Sequence, residues 1–281
     1  MDLVHARRYN FSVLAEVDWD YGEAYPFLRD PDGTGERLII VSPDHGRSYI
    51  VGQNDAEDRC IISKGNGLSY TQHPFLNTHE FGDETWGLLL RRDALRDFHN
   101  GQVAASMGIK TNRMHCVLEL DRPIKLGAET IKPVLLQYDV ECPYRISDAA
   151  FYDKSFFEEY YEKWSFPGVP ESAPRHLVAA HILAWNLSTM HNAGFLHNAI
   201  TVQNYTWALE LLDFELSSSK EYPYDSAADR GKSALLFNRE VIYTYQIVNY
   251  IAGVLSEDID YKTIDDIFMS YGFDLSKMQV I

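Results

Sequence analysis

The sequence predicts an α+β protein with a strand-rich first half and a helical second half. Short β-branched runs broken by turn residues fill the region 37–65, and apolar residues recur at helical spacing beyond residue 175. The chain has 281 residues, 46% of them hydrophobic and 23% charged, which is ordinary for a globular protein. A composition shift near residue 140 predicts two lobes, 1–140 with strands and one main helix, and 141–281 with helices.

The strands of the first lobe are expected to form a meander with tight turns, followed by a helix and two more strands. The helix LLLRRDALRDFHNGQVAASMG (88–108) carries its apolar residues on one face and ends at Gly108. The strand candidates are RLIIVSP (37–43), SYIVGQ (48–53), RCIISKG (59–65), NRMHCVLELDR and TIKPVLLQYDVE.

The second lobe is expected to consist of helices around one loop with a short hairpin. The helix candidates are 154–164, 175–194, 238–257 and 262–272, and Gly194 is a natural C-terminal cap for the second of them. The loop and hairpin lie directly after Gly194.

A net charge of −16 argues against a general nucleic-acid-binding protein, because phosphate backbones require basic surface. A local nucleotide site stays open. The three cysteines (Cys60, Cys116 and Cys142) have no short spacing, which argues against a disulfide framework or a cysteine-rich zinc site. No signal peptide or run of eighteen apolar residues is evident, so no membrane partner is expected and the predicted location is cytoplasmic.

The stretch GFLHNAITVQNYTWALELLDFE (194–215) has the spacing of a kinase-type active site at His197, Asn204 and Asp213. Asn and Asp from neighbouring segments can hold Mg²⁺ against nucleotide phosphates. The alternative interpretation is a turn Asn and a strand-end Asp. His197 is expected to brace the loop backbone, and the kinase catalytic Asp position is occupied by Ala199.

Lys64, followed by Gly65 and Gly67, has two interpretations. It is either a cation beside phosphates or a solvated residue in a hairpin turn. Asp97 or Gln102 of the predicted helix could orient its ammonium group, as an acid does in kinases.

Two stretches resemble the selenoprotein O family within the protein-kinase-like superfamily. SKGNGLSY…FGDETWGLLLRRDALRDFHNGQVAASMGIKTNR is similar to its Lys-Gly-x-Gly and Gly-Asp segments with the following helix. GFLHNAITVQNYTWALELLDFE resembles its Gly-Phe-x-His…Asn…Ile-Asp segment at the same intervals. The resemblance covers about residues 60–215. It implies a bilobal protein-kinase-like fold that binds ATP between the lobes and transfers AMP to protein hydroxyl groups.

The resemblance also implies residue roles. Lys64 would contact phosphate, Asp83 would contact ATP, and Arg145 would match the second of two phosphate-binding arginines, although a structural ion pair is an open alternative for Arg145. Asn204 and Asp213 would be the metal ligands.

The departures from the family pattern concern catalysis. Tyr138 stands at the position of the first phosphate arginine, and Gln203 stands where the family has its catalytic Asp. An amide cannot accept a proton at neutral pH. The sequence therefore leaves three functions open: a Mg-ATP enzyme that transfers AMP or phosphate to a protein hydroxyl, an inactive pseudokinase that binds nucleotide or acts as a scaffold, and a small-molecule kinase. Ala199 argues against the last.

Overall fold

The computed structural model describes residues 3–17, 24–30, 33–41, 47–54, 57–67, 87–126, 129–223 and 233–277. In these ranges the chain is a mixed α+β protein with an eight-stranded antiparallel sheet, a two-stranded sheet and five α-helices, which confirms the predicted class. It divides into two compact units, Met1–Gln102 with Asn112–Tyr144, and Val103–Thr111 with Arg145–Ile281. A search of the described helices finds none with the length and apolarity to cross a membrane.

All strands of the described residues belong to the first unit, and the order in the large sheet is β2-β7-β10-β6-β5-β4-β1-β3. The predicted strands are confirmed as β4, β5, β6, β7 and β10. The bounds are β1 Leu3–Arg8, β2 Phe11–Glu16, β3 Phe27–Arg29, β4 Arg37–Val41, β5 Ser48–Asn54, β6 Arg59–Lys64, β7 Arg113–Leu120, β8 Ile124–Leu126, β9 Glu129–Ile131 and β10 Val134–Val140.

The large sheet curls back on itself. Strands β1 and β2 are joined only by Tyr9 and Asn10, yet they stand six positions apart in the strand order. In a flat sheet that separation would be about 29 Å, whereas three Cα steps reach at most about 11 Å. Consistent with the curl, Leu28 of β3 packs against Cys116 and Leu118 of β7, near the other end of the order. The curl therefore encloses part of the core, and β10, which is buried at every position, is covered on both of its faces.

A buried carboxylate ties three strands together at one end of this core. Asp139 of β10 is fully buried, and it accepts hydrogen bonds from His115 Nε2 at 2.8 Å, from Arg113 Nε at 2.9 Å and from Arg59. Burial alone would raise the pKa of Asp139, but these three donors lower it from 3.8 to about 2.

This carboxyl group predicts part of the acid sensitivity of the protein. Because its folded-state pKa is depressed, its contribution of about 2 kcal/mol is complete above pH 5 and is lost as pH falls toward 2. Asp139→Asn should remove that portion of the pH dependence, measured by urea unfolding between pH 6 and pH 2.5. The control Asp121→Asn alters an exposed pair with Lys132. Equal losses of stability in wild type and Asp139→Asn would contradict the assignment.

The helices are α1 Arg91–Ser106, α2 Glu158–Tyr161, α3 Arg175–Asn192, α4 Ser233–Leu255 and α5 Tyr261–Ser270. In the second unit α3 packs against both α4 and α5. Glu257 caps the first turn of α3, since its carboxylate accepts from the backbone N–H groups of Arg175 at 2.8 Å and His176 at 2.9 Å. Gly194, at φ +71°, follows the end of α3 as predicted and turns the chain into the loop.

Candidate functional site

Lys64 at the end of β6 forms a buried ion pair with Asp97 of α1. The distance from Nζ to Oδ2 is 2.7 Å, and each side chain is 1% exposed. Of the two helix residues that the sequence offered as partners of Lys64, Asp97 and Gln102, the structure shows contact with Asp97. Burying both charges is costly in solvation free energy, so the close contact between them is required for either to be stable there.

The glycines after Lys64 are needed for backbone geometry. Gly65 and Gly67 adopt φ values of +96° and +100°, which favour glycine. A Cβ on Gly65 would also lie 2.6 Å from the carbonyl oxygen of Val134 in β10. The prediction that Asp83 contacts ATP falls on a residue outside the described ranges.

In the second unit, a tight hairpin brings the backbones of Asn204 and Asp213 close together. Tyr205 and Leu211 pair as an isolated antiparallel bridge, and the N–H of Leu212 donates to the carbonyl of Asn204 at 2.9 Å. The predicted hairpin is therefore confirmed, and its two arms end at the two residues of the predicted metal site.

Asp213 has an unusual backbone conformation for a non-glycine residue. It lies in the left-handed region at φ 66° and ψ 67°, where aspartate is among the more tolerated side chains. The next residue, Phe214, is fully buried and packs edge-on against Phe195 and His197. This anchor holds the half-buried Asp213 in a conformation that costs about 1–3 kcal/mol and that is frequent at functional sites.

His197 braces the loop, as expected from the sequence. Its ring is buried, with Nε2 2.9 Å from the carbonyl oxygen of Leu212 and Nδ1 3.3 Å from the N–H of Ala199. These contacts fit the neutral tautomer in which Nε2–H donates to the Leu212 carbonyl and Nδ1 accepts from the N–H of Ala199. His197 thus links the segment before Asn204 to the residue before Asp213.

Two residues of α4 hold the same loop, and sequence reasoning did not identify them. Glu240, which is buried, accepts from the N–H of Asn198 at 2.5 Å through Oε1, and its Oε2 lies 2.9 Å from His191 Nε2. Arg239 donates to the carbonyl of Asn198 at 3.3 Å. Asn198 has a positive φ of 65°, so this clamp stabilises an unfavourable conformation.

Arg145 and Asn204, predicted as phosphate and metal contacts, lie against each other. The buried guanidinium of Arg145 donates to Asn204 Oδ1 at 3.1 Å and to the carbonyl of Gln203. The amide nitrogen of Asn204 donates to the carbonyl of Ala199 at 2.8 Å, so both ends of this side chain are engaged.

The donor chemistry of Asn204 and Asp213 fits Mg²⁺, which prefers oxygen ligands. The electrostatics fit only after a rearrangement. A guanidinium in contact with Asn204 Oδ1 repels a second cation at that oxygen, so Mg²⁺ would bind there only with Arg145 displaced.

The catalytic-base positions hold no carboxylate. Gln203 is exposed and Ala199 is half-buried. Three other acids could in principle accept a proton: Asp139, Glu210 and Glu215. Asp139 has a pKa of about 2 and is hydrogen-bonded to arginine and histidine side chains. Glu210 is fully buried, with a carboxylate oxygen 3.2 Å from Thr206 Oγ1. Glu215 is half-buried in the short turn that follows Asp213.

Comparison with protein-family models gives no match to this chain, and no curated protein matches its sequence.

Proposed function

We propose that the chain is a protein-kinase-like protein that binds ATP together with Mg²⁺. The observation that carries this proposal is the buried pair of Lys64 and Asp97. Lys64 ends the third strand of the β4–β5–β6 meander, and its acidic partner lies on the helix that follows. Protein kinases place their phosphate-binding lysine and its acidic partner in the same two elements.

In this proposal Lys64 contacts phosphate, while Asn204 and Asp213 are the metal ligands. Arg145 would pair with phosphate instead of Asn204 Oδ1, and the amide oxygen of Asn204 would then be available to hold the metal. The bound Mg²⁺ would neutralise phosphate charge. The transferred group would be AMP or phosphate, and the acceptor would be a protein hydroxyl, as in the family that the sequence resembles.

The test is a thermal-shift titration with ATP and Mg²⁺. At one hundred times Kd, binding stabilises a folded protein by about 2.7 kcal/mol, so we expect a rise in Tm of several degrees. Asp213→Ala should abolish the rise, whereas Glu221→Ala, an exposed acid of the same unit, should preserve it. Absence of a shift in the wild-type protein would overturn nucleotide binding.

The second candidate function is a nucleotide-binding pseudokinase without transfer activity. Two observations favour it: Ala199 and Gln203 replace carboxylates, and Arg145 already provides a positive charge at Asn204 Oδ1. Incubation with ATP labelled at the α or the γ phosphate separates the alternatives. Transfer of only the α label indicates adenylylation, transfer of only the γ label indicates a kinase, and a thermal shift without transfer indicates the pseudokinase.

A further inference from the structure

Three aromatic residues that lie close together in the sequence reach the surface of the second unit. Phe151 is 69% exposed and Phe156 is 43% exposed. The ring of Phe156 stacks on that of the half-buried Tyr152, with a centroid distance of 4.7 Å and an interplanar angle of 14°. We call Phe151, Tyr152 and Phe156 the aromatic patch. Exposed apolar side chains are ordinary when scattered, but a cluster of large ones marks an interaction site.

The aromatic patch is supported from below by a column of buried rings. Phe157 meets both Tyr152 and Phe156 edge to face and stacks on Trp207 at 4.7 Å. Trp207 in turn stacks on Trp164, whose indole N–H donates to the Trp207 carbonyl at 2.8 Å. The patch is therefore presented on a packed base, which limits the entropy that its rings lose when a partner binds.

The segment that carries the aromatic patch is acidic. Residues 151–162 contain four acids and one lysine, for a net charge of −3. Asp153, Glu158, Glu159 and Glu162 are exposed, and Glu162 already pairs with Arg175 at 2.8 Å, which leaves the other three for a partner. Hydrogen bonds from the backbone and hydroxyl of Ser155 lower the pKa of Asp153, so its charge is retained. The one lysine, Lys154, donates to the carbonyl of Leu255 at 2.9 Å and is held at the end of α4.

We propose that the aromatic patch is a docking surface for a basic segment of another protein, in which arginine or lysine side chains alternate with apolar ones. Guanidinium groups stack on exposed rings, and the carboxylates of the same segment pair with their charge. A second copy of this chain fits less well, since an isologous contact would set two acidic segments against each other. Anionic membranes are repelled by the same carboxylates. The proposal is independent of nucleotide binding.

The test begins with selection from a displayed library of random twelve-residue peptides against the wild-type protein. We expect enrichment of peptides that combine arginine or lysine with aromatic or aliphatic residues. Synthesised peptides from this pool are then measured by fluorescence anisotropy. The double variant Phe151→Ser/Phe156→Ser should weaken binding at least about tenfold, because truncated aromatic anchors dominate interface affinity. Charge reversal by Glu158→Lys/Glu159→Lys should also weaken peptide binding, and the loss of affinity should be larger at low salt than at high salt.

The matched control is Met269→Ser, which changes another exposed apolar residue of the second unit and should leave peptide affinity unaltered. Enrichment of acidic peptides, or affinities that the Phe151→Ser/Phe156→Ser variant does not reduce, would overturn the proposal. So would a dimer, seen by sedimentation, that dissociates in that variant, since the occupant would then be a second copy. Both substituted side chains are exposed, and an unchanged Tm of the variant verifies that its fold is intact.

Discussion

The substitution Asp97→Asn is expected to lower the free energy of unfolding by about 3–5 kcal/mol, the usual effect of removing one partner of a buried ion pair. Lys64 would keep its charge in a nearly fully buried position while losing the carboxylate 2.7 Å away. Urea unfolding at pH 7, followed by circular dichroism, measures the change. The same variant should also lose the nucleotide-induced rise in Tm, because Lys64 would no longer be held in its orientation.

Two controls distinguish this pair from an ordinary surface contact. Asp93→Asn alters an acid of the same helix whose pairs with Arg92 and Arg96 are longer and more exposed, and it should cost no more than about 1 kcal/mol. Lys64→Met/Asp97→Leu removes both charges and should recover part of the stability without recovering the nucleotide response. If Asp97→Asn were as mild as Asp93→Asn, the charges would not be buried as described.

The strands of the sheet were predictable where local sequence carries the signal. β4, β5 and β6 are β-branched runs separated by turn residues, and each lies where predicted. β1, β2 and β3 were not predicted. In β1 and β2 only Ala6 is buried and most other residues are exposed, so the strands lack a strong alternation. They are stabilised by distant partners in the curled sheet, and no local pattern encodes that.

The candidate site was predictable to a similar extent. The spacing from His197 to Asn204 and Asp213 predicted the hairpin, because the contacts that close it are local: Tyr205 pairs with Leu211, and Leu212 donates to Asn204. The predicted helix 88–108 began too early, since α1 starts at Arg91 and Leu90 before it is exposed, and the polar Asp97 of α1 is buried in its ion pair. Apolar periodicity does not identify a buried charge on a helix when its partner lies on a distant strand.

Glu240 shows why part of the site escaped prediction. It lies 42 residues after Asn198, in a helix that is otherwise strongly apolar, and nothing in the local pattern marks it as a contact of the loop. Because its carboxylate is buried with two hydrogen-bond partners, it has a large expected effect on both stability and function.

Glu240→Ala is expected to lower the free energy of unfolding by about 3–5 kcal/mol, since two charge-assisted hydrogen bonds of about 1.5–3 kcal/mol each are lost. The loop from His197 to Asn204 would then lose its attachment to α4. The response to ATP and Mg²⁺, measured as the calorimetric affinity, should weaken even at temperatures where the variant is folded. Glu240→Gln retains an oxygen acceptor for the N–H of Asn198 and should preserve most of that response. If Glu240→Ala lowered stability but bound nucleotide with unchanged affinity in calorimetry, Glu240 would support the fold without positioning the loop.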